Sequence, residues 1–313
     1  MSGLANVLPS QFGLSGRAIR EKGYFVCKNF KIYKTSDSHN EIKARYLLLE
    51  EIAEEGFPWT DRITLSTQGV PYVQLGRETY IMTKYITGND VDLFSNEDVK
   101  KAVESLARFH NAARGVTRNI SIAPSQLEAF NKHTSIAVQA LKQINRRMSD
   151  FDVLFIKHAP YYKDLAIKAS EALAKTEYLN LLEQAQANNH ICHNNLKEES
   201  LPISEEVCHI IRFSEASIDL QLTDLSNFIR RYALRGNREL SINFILEIYN
   251  KITPLHANAK EIIYAQLLYP WTFMKIIAQY YSKKRNWTPV AITSRMTTIL
   301  EEESIYANYI ADL

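Results

Sequence analysis

Five side chains able to hold a metal crowd one stretch of the sequence: His190, Cys192, His193, Cys208 and His209. Imidazole and thiolate ligands together would suit zinc. Adjacent strand residues point to opposite faces, however, so these five cannot all converge on one ion. Their neighbours Ile191, Ile210 and Ile211 read as core, and no metal is expected there. Glu198, Glu199 and Glu215 place carboxylates around the same stretch, where solvated loop acids are the simpler reading. His110 reads as a helix-packing histidine. Residues 13–23 contain Gly13, Gly16 and Gly23, but their spacing makes no convincing glycine-rich phosphate loop.

Any such chemistry must be positioned by the elements around it. Short aromatic and β-branched runs at 23–27 and 30–34 read as adjacent strands. Thr35-Ser36-Asp37-Ser38 suits a cap, and Ile42, Leu47, Leu48, Leu49, Ile52 and Ala53 recur with helical period over about 40–55. Gly56 and Pro58 end that helix. Strands follow at 63–65, 70–75 and 79–85, with turns at Gln68-Gly69 and Gly76-Arg77. The first lobe is therefore expected over 1–87, a five-stranded sheet with one helix. Beyond it the pattern is helical, starting from Ser95-x-x-Asp98 as a capping box. Helices are expected to about residue 113 and over 124–148, 160–187, 222–235, 240–251, 258–282 and 290–311. Only 190–220 interrupts them, with two short buried strands around a loop. The fold class is α+β, two-lobed and kinase-like, with a helical second lobe over 88–313.

Composition excludes several functions. The chain has 313 residues, and 37 Lys and Arg oppose 35 Asp and Glu, so no electrostatic grip on nucleic acid or an anionic membrane is expected. Lys283-Lys284-Arg285 reads as a solvated helix end, and the aromatic stripe Trp271, Phe273, Tyr280, Tyr281 and Trp287 as core. Three cysteines make no disulfide framework. No apolar run is long enough to span a membrane, and residues 1–6 lack the start of a signal peptide.

The loop His193-Asn194-Asn195-Leu196-Lys197-Glu198-Glu199-Ser200 resembles the His-Gly-Asp-x-x-x-x-Asn loop of aminoglycoside phosphotransferase and choline kinase-like proteins. Ile210-Ile211-Arg212-Phe213-Ser214 resembles their Ile-Asp-Phe/Trp-Asp/Glu segment, and Ile218 to Arg231 their following Asp-Leu helix. Within that superfamily the chain is most similar to the CotS-type spore-coat proteins. Leu106-Ala107-Arg108-Phe109-His110-Asn111-Ala112-Ala113-Arg114-Gly115, Asp224 to Arg231, and Leu268-Tyr269-Pro270-Trp271 through Trp287 carry that likeness. The resemblance runs from about residue 23 to 309.

It implies a test of the site, position by position. Phosphoryl transfer needs a carboxylate for the acceptor hydroxyl, oxygen ligands for Mg²⁺ and a lysine on the phosphates. Asn195 stands where the resemblance implies the catalytic Asp, Ser200 where it implies a metal-binding Asn, and Arg212 where it implies the second metal-binding Asp. An amide takes no proton at neutral pH, and a permanent cation repels a divalent one. An ion pair of Arg212 with Glu215, Asp219 or a helix glutamate would then stand in for the metal. Lys34 is the match for the strand lysine and Glu41 for its helix partner, as remnants of a nucleotide cleft. His193 and Asp224 match the pair joining the loop to the next helix, and Leu196 and Phe213 keep the apolar positions.

The resemblance therefore implies a pseudokinase: a catalytically inactive structural or assembly component of the bacterial endospore coat. It would be made in the mother-cell cytoplasm without a signal peptide, need no cofactor, and have other coat proteins as partners. Two alternatives stay open. One is a small-molecule phosphotransferase using ATP and magnesium with displaced carboxylates at Glu198, Glu199 or Glu215. The other is a module binding a nucleotide or sugar without phosphotransfer, through Lys34 and Arg212.

Overall fold

Side-chain alternation along one central strand organises the first part of the chain. The computed structural model describes residues 3–116, 120–144, 148–282 and 287–311. The Lys283-Lys284-Arg285 run lies outside the described residues. The chain forms two compact units, Met1–Ser121 with Asn188–Ile218, and Ile122–Ala187 with Asp219–Leu313. The chain does not part at residue 87, because the first unit keeps the next helix and the 188–218 segment with the sheet.

The first unit runs α1 (Leu4–Gln11), β1 (Ile19–Arg20), β2 (Tyr24–Cys27), β3 (Phe30–Thr35), α2 (His39–Glu54), β4 (Ile63–Thr64), β5 (Val73–Leu75), β6 (Glu78–Lys84), β7 (Asn89–Asp90) and α3 (Asn96–Ala112). It then takes up β8 (Ile191–Cys192), β9 (Pro202–Ser204), β10 (Val207–Cys208) and β11 (Ser217–Ile218). The main sheet has six strands in the order β1-β2-β3-β6-β4, with β5 also on β6. All its pairings are antiparallel, and Phe30 to Thr35 of β3 lie opposite Lys84 to Thr79 of β6.

Both α1 and β1 go beyond the five strands and one helix expected from the sequence. The α1 helix has no side-chain cap and contains Pro9, so its start carries no signal. Burial holds it instead, with Leu8 and Phe12 packing against Ile32, Val73, Tyr80 and Met82. Ile32 is fully buried on that face of β3, while Lys31, Tyr33 and Thr35 point to the other. Ser38 caps α2 as expected, accepting the Glu41 N–H at 3.3 Å while the Glu41 carboxylate accepts the Ser38 N–H at 2.7 Å. Arg62, just before β4, grips Glu50 of α2 through two guanidinium nitrogens.

The short strands of the 188–218 segment pair differently from a simple two-strand insert. Two of the four, β9 and β11, were not visible in the sequence pattern. β8 joins β11, and β10 joins β9, which in turn joins β7. Strands of two or three residues carry no readable alternation, so only the tertiary pairing reveals them.

The second unit is helical: α4 (Gln126–Gln143), α5 (Asp150–Ala174), α6 (Tyr178–Ala187), α7 (Leu222–Arg235), α8 (Ile242–Ile252), α9 (Ala259–Leu268), α10 (Trp271–Tyr281) and α11 (Pro289–Ile310). Two expected helices are divided otherwise. The helix expected from residue 160 begins at Asp150, where Ser149 and Asp152 form a capping box, and Pro160 lies inside it. The helix expected over 258–282 breaks at Pro270, because Tyr269 before the proline is extended. The carbonyls this break leaves open are met by Arg230, which donates to Gln266 and Leu267, and by Tyr306, whose hydroxyl donates to Leu267 at 2.7 Å. Of the aromatic stripe expected as core, Phe273 is buried and stacks on Tyr162 at 3.9 Å, while Trp271, Tyr280, Tyr281 and Trp287 are only partly buried. Phe130 stacks on Tyr269 at 3.9 Å beside them.

Burial along one face of β3 gives a direct test. Ile32→Ala is expected to cost about 2–5 kcal/mol in urea unfolding. Lys34→Ala, on the same face but at the exposed edge, should cost under about 1 kcal/mol. Equal costs would contradict the burial of Ile32 and the exposure of Lys34.

Candidate functional site

A cavity of about 560 Å³ opens on the face of β3 that carries Lys31, Tyr33 and Thr35. Arg45 and Leu49 of α2, Asp61, Lys84, Glu199 and Arg212 also line it, all within the first unit. Its shape depends on two stretches held together. Ile210 donates its N–H to the Trp59 carbonyl at 2.9 Å, and Thr60 and Ile210 form a parallel bridge. Next along, the Arg212 N–H meets both oxygens of Asp61 at 3.2 and 3.3 Å. On the other side, the Lys84 N–H donates to the Arg62 carbonyl at 3.1 Å.

The loop from His193 to Ser200 is held from within. His193 is fully buried, and its Nε2 lies 2.8 Å from the Ile211 carbonyl while the Asn195 N–H donates to Nδ1 at 3.3 Å. That pattern assigns the proton to Nε2. Asn194 takes a positive φ of 61° and donates from its amide to the Ser217 hydroxyl at 2.7 Å. Ser200 is buried, and its hydroxyl accepts the Lys197 N–H and donates to the Lys197 carbonyl, both at 2.7 Å. Phe213 is buried between His193 and Phe109, and Leu196 is buried too. Asp224 lies in the first turn of α7 and is fully buried.

The structure places Lys34 and Glu41 elsewhere than a nucleotide cleft. Lys34 points to the opposite face of β3, where its ammonium pairs with Glu78 at 2.7 Å in solvent. Glu41 is committed to capping α2, and its bonds with Ser38 hold its carboxyl below the ordinary range. The cavity lysine of β3 is Lys31, and α2 turns Arg45 inward, paired with Asp37 at 2.9 Å. The period of two could have revealed this: with Ile32 in the core, the odd-numbered residues 31, 33 and 35 must face the other way. Asp61 had no signal in the sequence, because its partner is a backbone group 151 residues away.

Arg212 also finds partners other than those expected. Its backbone is left-handed, with φ 70°, and its guanidinium lies 3.7 Å from Glu199 with about half of the side chain exposed. Of the three loop acids, Glu199 lines the cavity, whereas Glu198 and Glu215 do not. The donor set at these positions does not fit a magnesium ion. Asn195 supplies an amide, the Ser200 hydroxyl is spent on Lys197, and Arg212 brings a cation.

Of the histidine and cysteine cluster, Cys192, His193, Cys208 and His209 are buried and His190 is partly buried. Burial pushes the Cys208 thiol up to about 12. Burial, with Arg114 and His110 beside it, pulls His190 down to about 4.

Burial also pushes Asp61 up to about 6, against the opposing pull of the Arg212 N–H, Arg45 and Lys31. A carboxyl whose folded value exceeds its unfolded value, near 3.9, is destabilising once ionised. The wild type should therefore lose stability as pH rises from about 4 to about 6. Asp61→Asn should remove that slope, gaining on the order of 1–2 kcal/mol over wild type at pH 7 and little at pH 4. Urea unfolding at several pH values checks this, and parallel pH profiles would refute it.

The chain is similar to known proteins along nearly its whole length. The family model described as "Spore coat putative kinase YutH" matches residues 18–313. The endospore coat-associated protein YutH of Bacillus subtilis (strain 168) is 24% identical over 260 residues, covering 78% of this chain and 71% of that protein. Spore coat protein S of the same organism is 24% identical over 220 residues, covering 67% of this chain and 62% of its own length. Among solved structures, an aminoglycoside phosphotransferase from Alicyclobacillus acidocaldarius superposes with a TM-score of 0.82 at 16% identity, covering 95% of this chain and 90% of that one. A spectinomycin phosphotransferase in complex with ADP and spectinomycin gives 0.66 at 13% identity, over 99% and 98%. At such identities these structures establish the fold, the two-lobed aminoglycoside phosphotransferase-like one. With the match running over residues 18–313, the chain belongs to the spore coat putative kinase YutH family.

Proposed function

We propose that this protein serves the endospore coat as a kinase-shaped structural or assembly component that transfers no phosphate. Its two coat-associated relatives support the coat, and Arg212 in the cavity carries the rest. A guanidinium about 4 Å from a metal site repels it by about 4 kcal/mol per unit of metal charge at an effective dielectric near 20. Asn195 in place of a general base removes a further factor of about 10²–10⁴. The loop carrying these residues keeps its shape through His193, Ser200 and Phe213, none of which requires a metal. No cofactor takes part in this reading, and the protein works through its surface on other coat proteins. Among the described residues no helix is long and apolar enough to cross a membrane.

The rival phosphotransferase would have to recruit Glu199, the loop acid that lines the cavity. Purified protein with ATP and magnesium is expected to release no phosphate above the buffer rate. Turnover that disappears in Glu199→Gln would overturn the inactive reading. The combined variant N195D/S200N/R212D should bind ATP more tightly with magnesium than in EDTA, by calorimetry, a gain the wild type is not expected to show. Immunodetection should find the protein in the coat fraction of spores. Its confinement to vegetative cells would remove the coat role.

A further inference from the structure

Lys31 carries an ammonium that makes no salt bridge among the described residues, with the Asp61 carboxylate of the same cavity acting on it only through space. It lies 4.3 Å from the centroid of the Tyr24 ring and 5.5 Å from that of Tyr33, in cation–π contact with both. Among the described residues no carboxylate oxygen lies within 4 Å of it. Arg212 opens into the same space with its guanidinium about half exposed. Four acids line the cavity as well, but Asp37 is paired with Arg45, Asp61 is taken by the Arg212 N–H, and Asp90 is exposed. Glu199 makes only a 3.7 Å contact with Arg212.

We propose that the cavity binds a phosphoryl oxyanion directly, without a metal, between the Lys31 ammonium and the Arg212 guanidinium. Two cations facing one space raise each other's free energy, and a multivalent anion placed between them relieves both. Burial and then the neighbouring Arg212 charge hold the Lys31 ammonium below its usual range, against the opposing pull of Asp61. The chemistry is complementary: a guanidinium offers a planar fork to phosphate oxygens, and an ammonium acts as a mobile point charge. Tyr24, Tyr33 and Tyr85 wall the cavity and would flank the body of a phosphorylated molecule. The cation that the family scaffold would take from magnesium is here supplied by Arg212. The proposal rests on the non-catalytic reading of the site.

The test is calorimetric titration of the full chain with inorganic pyrophosphate in EDTA, repeated with ATP and then with magnesium. Binding in EDTA is expected, with Lys31→Met and Arg212→Gln each losing at least tenfold in affinity. Lys31→Arg, which keeps the charge, should retain most of it, and Lys34→Met on the opposite face of the sheet should bind as wild type does. Equal affinity for ATP and pyrophosphate would assign recognition to the phosphoryl groups, and tighter ATP binding would add the cavity wall; both support the site. No binding in EDTA, or binding insensitive to Lys31 and Arg212, overturns the proposal while leaving the inactive reading in place. Binding that requires magnesium and comes with ATP turnover overturns both.

Discussion

Everything at the site depends on one seam, where residues 59–61 run beside residues 210–212. The bond from Ile210 to Trp59, the bridge at Thr60 and the double contact of Asp61 with the Arg212 N–H fix the loop's backbone against the start of β4. Further bonds from His209 to Pro202 at 2.8 Å and from Ile211 to Ser200 at 3.0 Å extend that order into the neighbouring loop. Each bond contributes about 1 kcal/mol net, yet leaving a buried partner unmet would cost more. The seam explains how the loop keeps its form with an amide at 195 and a guanidinium at 212. Its shape is set by backbone groups together with the side chains of Asp61, His193 and Ser200.

This division between backbone and side chain also explains what could be read beforehand. The fold was legible because its cues are local: the Ser38 and Ser95 caps, the period of α7, the alternating strands and the glycine turns. Asn195, Ser200 and Arg212 were singled out through the family likeness, by their order along the chain. What escaped were features decided by distant partners. Asp61 meets a backbone group far along the sequence, β9 and β11 are too short to show a period, and α1 is held by burial alone. Lys34 was misplaced for a different reason. The strand was found, but its phase was not carried from the buried Ile32 to its neighbours.

The same phase governs the electrostatics of β3. One face sends Lys34 into water, where its pair with Glu78 adds little beyond solubility. The other sends Lys31 among aromatic rings and beside a second cation, where solvent screens less and each charge acts more strongly on its neighbours. Two lysines three residues apart thus belong to different electrostatic environments.

The left-handed turn at Arg212 has a consequence of its own. For an arginine that conformation is strained by about 1–2 kcal/mol, while Asp and Asn are several-fold enriched in it. The seam holds the turn whatever side chain stands there. Exchange at this position is therefore asymmetric: going from arginine to aspartate relaxes the main chain, and going back strains it. With arginine at 212 the chain sits uphill, in backbone energy, of the same chain with aspartate there.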